Sequence, residues 1–294
     1  MKGLQNKKLI ILFLIAVSFC LVFTSSAFAG YSVNFATDKI QIINPPNNGT
    51  EVHGVLPISG TAKVDEVWFC IRGPQDEVEV QKAQVTEGEF SIQVTLRFGP
   101  GLYTIWAADN KTSFDGKIRF TANNVIEDNR YISASNYVNS DDPAIIELSS
   151  NLVNDDMTDM EKAKAIHDWV AGNIEYDYQA YLEGDLGLKT ASATLQDGSA
   201  LCSGYSFLYA ALSRAAGLPA KVVYGQIKSS QGWEAQKHAW NEVMINGKWI
   251  NVDSTWDAGY IKDGSFVASL SNDYFDPAAA VFASTHSDGE DKFY

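Results

Sequence analysis

Between Tyr31 and Asn124 apolar residues recur at every second position in short runs: Val67, Phe69 and Ile71; Val78 and Val80; Phe90, Ile92, Val94 and Leu96; Tyr103 and Ile105; Ile118 and Phe120. A period of two is that of a strand with one buried face. Pro45-Pro46-Asn47-Asn48-Gly49, Arg72-Gly73-Pro74, Glu87-Gly88 and Gly99-Pro100-Gly101 separate the runs, and these residue types preset or tolerate turn dihedrals. Short strands at this spacing predict an all-β sandwich over residues 31–124. Cys70 shares the parity of Trp68 and Arg72, opposite to the apolar one, so a packing or surface role without chemistry is expected of it.

From about Val125 the period becomes helical. Asp142-Pro143 places a capping residue before a proline suited to a first helical position, and Ile145, Ile146, Leu148 and Leu152 follow. Thr158 with Glu161 reads as a capping box ahead of Ala163, Ile166, Val170 and Ile174, an amphipathic helix. Cys202 follows the turn Asp197-Gly198-Ser199 and opens a helix on which Leu208, Leu212 and Ala215 share a face. Gly217 and Pro219 end that helix. Cys202 is therefore expected in or just before its first turn, where unpaired amides and the helix dipole favour a thiolate.

The next segment alternates again. His238 to Ile245 and Lys248 to Asp253 are joined by Asn246-Gly247, the strongest short hairpin signal. A two-residue loop sets Ile245 opposite Lys248, Met244 opposite Trp249, Glu242 opposite Asn251 and Trp240 opposite Asp253. His238 then lies diagonal to Asp253 on one face, with Trp240 and Trp249 as the walls of an expected aromatic slot. Val243, Ile245, Ile250 and Val252 form the other, apolar face, suited to packing on helices. A thiol, an imidazole and a carboxylate in this relation can activate a nucleophile: His238 takes and returns the proton while Asp253 orients the ring. The competing readings are a surface ion pair on a hairpin, and a zinc site, which the lack of a close ligand pair disfavours. His167 reads as a helix-packing histidine, His286 as a solvated tail residue, and Tyr274-Phe275-Asp276-Pro277 as a docked terminal turn.

Composition adds location and partners. Lys2, Lys7 and Lys8 precede an apolar run from Leu9 to Phe23, and Ala27-Phe28-Ala29 offers a cleavage site, so residues 1–29 read as a secretory signal cut after Ala29. Export or residence in the cell envelope is expected. Cys20 leaves with the signal, and the distant Cys70 and Cys202 are expected to stay unpaired although the compartment is oxidising. Loss of the three lysines takes the formal charge from −14 to −17. Such acidity argues against nucleic acid and against anionic membrane surfaces, so neutral or basic partners are expected, and beyond the signal no apolar run reaches the roughly 18 residues of a membrane span, so no membrane insertion is expected. No cofactor is implied.

Cys202, then His238-Ala239-Trp240-Asn241-Glu242-Val243, then Asp253-Ser254-Thr255-Trp256-Asp257 resembles the transglutaminase-like superfamily of papain-like cysteine enzymes. Ile166-His167-Asp168-Trp169-Val170 and Ala216-Gly217-Leu218-Pro219-Ala220 fit the same pattern. The resemblance covers residues 125–294 and implies an α+β papain-like core with the triad Cys202, His238 and Asp253. Ser203 stands where animal transglutaminases carry tryptophan, and Ala200 where bacterial members often carry glycine two residues before the cysteine. With no loop of calcium-hand spacing, a bacterial secreted branch is the better match. For the oxyanion, the Cys202 amide is one candidate donor and Gln196, Trp169 or Tyr176 the second. Gly88-Glu89-Phe90 and Gly101-Leu102-Tyr103 resemble small immunoglobulin-like modules of exported bacterial proteins, which makes residues 31–124 an expected immunoglobulin-like sandwich. The resemblance implies acyl transfer from protein or peptide substrates, cell-envelope proteins among them, through a Cys202 thioester that is resolved by an amine or by water. The alternative is a noncatalytic envelope-binding module that keeps the fold.

Overall fold

The computed structural model describes residues 35–184, 187–229 and 232–292; the expected signal segment lies outside them. Eight strands come first: β1 (Ile40–Ile42), β2 (Thr50–Val52), β3 (Val55–Ala62), β4 (Glu66–Arg72), β5 (Val78–Gln84), β6 (Glu89–Thr95), β7 (Gly101–Ala108) and β8 (Ile118–Asn124). They make two sheets, ordered β1-β3-β6 and β2-β8-β7-β4-β5. Val67, Phe69, Ile71, Tyr103, Ile105, Ile118 and Phe120 are all buried. They share one apolar core with Ile58, Phe90 and Val94 of the smaller sheet. Each fully buried side chain of this size contributes roughly 1.5–3 kcal/mol relative to exposure.

β5 departs from the expected parity. Val78 is 56% exposed, while Glu77 and Gln81 are buried. The reason is ionic: the inner side of β5 meets two arginines instead of apolar residues. Arg97 Nε donates to Glu79 Oε2 at 2.8 Å, Arg130 Nη2 to Glu77 Oε1 at 2.7 Å, and Arg97 Nη1 to the Arg130 carbonyl at 2.6 Å. Both guanidinium groups sit about 5 Å from the Phe98 ring centroid. Gln81 pairs its amide with the backbone N–H and C=O of Thr95, each at 3.0 Å, and so links β5 to β6 across the gap between the sheets. Arg97→Met strands the Glu79 carboxylate in a nearly dry site and is expected to cost about 3–5 kcal/mol. Urea unfolding checks this, and pairing the change with Glu79→Leu is expected to recover much of the loss.

The remaining described chain is mixed. Helices α1 (Pro143–Leu152) and α2 (Asp159–Asn173) start at the expected caps, Asp142 and the Thr158–Glu161 capping box. After them come β9 (Glu175–Tyr176), α3 (Tyr178–Glu183), α4 (Ala191–Asp197), β10 (Ser199–Ala200) and α5 (Cys202–Ala215). Then follow β11 (Ala220–Ser229), β12 (Gly232–Ile245), β13 (Lys248–Val252), α6 (Ser254–Ala258), β14 (Gly259–Lys262), β15 (Ser265–Ala268), α7 (Ala279–Ala283) and β16 (His286–Asp291). The sheet order β13-β12-β11-β16 is antiparallel throughout.

Helix α5 is buried from Gly204 to Arg214, not along one face only. It sits between α1, α2 and α4 and the sheet, whose Val243, Ile245 and Val252 close the same core. Gly204 permits the close approach at its start, since a Cβ there would lie 2.5 Å from Ala200 Cβ and 2.8 Å from Thr194 Oγ1. The packing thereby fixes the turn that carries Cys202. Among the described residues no helix is long and apolar enough to cross a membrane.

Candidate active site

Cys202 occupies the first position of α5, and Leu201 ahead of it provides no side-chain cap. The first amides of the helix therefore have no side-chain acceptor from the cap position. Asn241, inside β12, donates from Nδ2 to the Ser206 carbonyl at 3.0 Å and to the Lys221 carbonyl at 2.9 Å, tying α5 to the two central strands. Cys202 and Cys70 are both free thiols and both half-buried.

The hairpin register is the one the sequence predicts as far as Asn241 opposite Val252. There β13 stops. The expected pair of Trp240 with Asp253 does not form, because Asp253 leaves the ladder to cap α6, its Oδ1 accepting from the amides of Thr255 at 3.0 Å and Trp256 at 3.2 Å. Its other oxygen, Oδ2, accepts from His238 Nε2 at 2.7 Å. This leaves His238 Nδ1 for the thiol of Cys202. Burial by itself would lower the His238 pKa, but Asp253 and, less strongly, Cys202 raise it to about 10. Burial would likewise raise the Asp253 carboxyl, yet His238 and His286 hold it well below the usual carboxylate range.

His286 is the residue that sequence reasoning misplaced. Far from solvated, it is 3% exposed, and its Nε2 lies 3.1 Å from the same Asp253 Oδ2. The polar run His286-Ser287-Asp288-Gly289-Glu290-Asp291 has no apolar alternation, so nothing in its pattern marks a strand. It forms one by adding to the edge of β11, with His286 opposite Ile227. His167 is buried as expected, and its Nε2 is 2.9 Å from Asp257 Oδ2, which anchors α6 to α2. The terminal turn docks too: the Tyr274 amide donates to Asp257 and the Asp276 amide to the Asn251 carbonyl.

Cys202 and His238 open onto a cleft of about 870 Å³. Its aromatic lining comes from Tyr176, Tyr178 and Tyr181 on β9 and α3 and from Trp256, Tyr260 and Phe266 on α6, β14 and β15. The expected walls, Trp240 and Trp249, are elsewhere. Trp240 is buried with its ring steeply inclined to that of His286, and Trp249 packs against Tyr131 and Lys221. The strand pattern shows which face a residue takes but not how far the flanking loops fold over it. Of the three candidate side chains for the oxyanion, Tyr176 lines the cleft, whereas Gln196 is exposed and Trp169 packs on the helical core. Thr255 also lines the cleft, and its buried hydroxyl has no hydrogen-bond partner.

His238, Asp253 and His286 offer three ligand atoms within 4.8 Å of one another. A zinc ion would need each about 2.0–2.2 Å from a common centre. Here both imidazoles instead approach one carboxylate oxygen at hydrogen-bonding distance, which is the geometry of a shared acceptor.

The model of the transglutaminase-like superfamily matches residues 146–254, a span that contains Cys202, His238 and Asp253 and ends before His286. Over 148 residues the chain is 32% identical to kyphoscoliosis peptidase of Homo sapiens, covering 48% of this chain and 22% of that protein. The Mus musculus protein of the same name matches to the same extent. The chain thus spans less than a quarter of the length of these curated relatives. Among solved structures, a candidate cysteine protease from Cytophaga hutchinsonii aligns at 17% identity and a TM-score of 0.38, over 88% of this chain and 79% of the other. The periplasmic domain of TgpA from Pseudomonas aeruginosa aligns at 15% identity and a TM-score of 0.31, over 74% and 81%. Residues 146–254, the segment that holds Cys202, His238 and Asp253, are thus similar to the transglutaminase-like superfamily.

Proposed function

We propose that the protein is a thiol acyl-transfer enzyme acting on protein or peptide amides. The observation that carries this reading is that Cys202, at an uncapped helix start, and His238, held by a buried Asp253, open onto the same cleft. Cys202 Sγ attacks the amide carbon as the thiolate. The C–N bond breaks as the protonated His238 passes its proton to the departing nitrogen, and a thioester to Cys202 remains. An amine or water then attacks the thioester, loses its proton to His238 and releases the thiolate. The Cys202 amide, with the Tyr176 hydroxyl, supplies donors to the oxyanion.

The lining supports an uncharged acyl donor. Beyond His238, the charged side chain at the cleft is Lys237, and the described walls carry no carboxylate. A glutamine carboxamide or a peptide bond flanked by apolar residues suits these walls better than an acidic segment does. In this reading residues 1–29 export the chain, residues 31–124 form an immunoglobulin-like module that presents the enzyme, and residues 125–294 are catalytic.

The test is incubation with a glutamine-containing protein and a labelled primary amine, with ammonia and incorporated label followed by mass spectrometry. Ammonia release with incorporation is the expected transferase result. Ammonia release or chain cleavage without incorporation assigns a hydrolase, and the absence of both, in a protein with intact Cys202, contradicts the proposal. Iodoacetamide near pH 6 is expected to label Cys202 well ahead of Cys70, whose thiol is pushed up by burial. Peptide mapping after timed quenching measures the two rates.

A further inference from the structure

We infer that His286 is a positioning residue of the site: its Nε2–H shares Asp253 Oδ2 with His238 and fixes the carboxylate that orients the reacting imidazole. This rests on the acyl-transfer reading, and it adds to the triad a residue beyond the segment that matches the superfamily.

The argument starts from the demands of a buried carboxylate. Asp253 is 1% exposed, so its lone pairs must be met by protein donors. Oδ1 is met by the amides of Thr255 and Trp256, which leaves the lone pairs of Oδ2 to be met by other donors. Oδ2 receives His238 Nε2 from one side and His286 Nε2 from the other, at 2.7 and 3.1 Å. Two donors on one oxygen define its direction where one would not. A lone donor from His238 would leave ring and carboxylate free to turn together, away from Cys202.

His286 is itself held rigidly, as a positioning group must be. Its ring stacks on Phe282, with centroids 4.0 Å apart and planes 5° from parallel, and Trp256 lies 4.7 Å away. Thr285 Oγ1 is 2.9 Å from Nδ1, so the ring nitrogen that faces away from the carboxylate is held as well. Pairing of β16 with β11 supplies the backbone support. The titratable groups that face the ring are His238 of β12, Asp253 at the start of α6 and Tyr274 of the preceding loop.

Two substitutions in the full chain separate donation from packing. His286→Phe keeps a flat ring against Phe282 but has no N–H, and His286→Gln keeps a donor without the ring. With an amide substrate, His286→Phe is expected to lower kcat about 10- to 100-fold with KM within about twofold, the range seen when a group that orients a working histidine is removed. Its alkaline limb in the pH profile is expected to move to lower pH, while His286→Gln stays within several-fold of the parent on both measures. A His286→Phe variant with kcat within about twofold of the parent and an unmoved pH profile would overturn the inference, as would equal impairment of both variants with no change in pH profile. Imidazole nitrogen NMR of the otherwise unaltered Cys202→Ala chain covers the case in which either variant misfolds. Two rings protonated on Nε2 with hydrogen-bonded protons are expected, and a His286 protonated on Nδ1 alone contradicts the assignment. If the parent enzyme turns over no amide, the acyl-transfer reading fails by itself, and the NMR result still decides whether His286 donates to Asp253.

Discussion

Cys202→Ala is expected to abolish amide turnover, by about 10⁴-fold or more, and to leave the fold intact. Loss of the nucleophile from a unit whose members act together removes nearly all the acceleration that the unit provides. The fold is expected to survive because Cys202 is half-buried at the first position of α5, while the packing of that helix begins at Gly204. Cys70→Ala is the matched control. Cys70 sits in β4 opposite Val80 and Trp106, in the other apolar core's sheet, and turnover is expected to stay within about twofold of the parent, the scale of a surface substitution. Steady-state kinetics with near-ultraviolet circular dichroism on both variants checks the pair.

Asp253→Asn is expected to reduce kcat by about 10²- to 10⁴-fold, the cost of losing the group that sets the imidazole tautomer and stabilises its cation. The pH profile carries a second signature with a definite sign. In the proposed mechanism His238 must be protonated to deliver a proton to the departing nitrogen, so activity is expected to fall as pH rises through its pKa, about 10. Asp253 is the leading cause of that elevation, so the neutral amide is expected to bring the alkaline limb down toward the ordinary histidine value of about 6.5. Stability follows the same linkage. The pair contributes fully below the unfolded-state histidine pKa, and its contribution is lost as pH rises through the folded value. An alkaline limb that stays in place in Asp253→Asn would show that another group holds the imidazolium.

The parts of the site written in local pattern were legible from the sequence. Asn246-Gly247 fixes a two-residue loop, and from it the register runs without error to Asn241 and Val252, which is enough to bring His238 and Asp253 together. Glycine and proline past Ala215 locate α5 and hence Cys202 at its start. Three features resisted. Asp253 caps α6 instead of extending β13, because Asp-Ser-Thr is as good a helix start as a strand end, and the local sequence does not rank the two. β5 turns glutamate and glutamine inward, because its partners Arg97 and Arg130 are distant in sequence and alternation alone assigns the valines to the core. His286 reaches Asp253 through β16, an edge strand held by backbone pairing with β11, and that pairing leaves no trace in side-chain periodicity. The cleft walls share this last difficulty, since Tyr176, Tyr181, Tyr260 and Phe266 come from short elements on both sides of the hairpin in sequence.

The most direct test of the central claim is to catch the acyl group on Cys202. The enzyme is mixed with a glutamine-containing peptide, quenched in acid within the first turnover, and read by intact-mass and peptide-level mass spectrometry. The account predicts an adduct equal to the peptide minus ammonia for a glutamine side chain, or to the amino-terminal fragment for a cleaved chain, located on Cys202, sensitive to hydroxylamine and absent from Cys202→Ala. Product formation at the same rate by Cys202→Ala, or an adduct on any other residue, would contradict it.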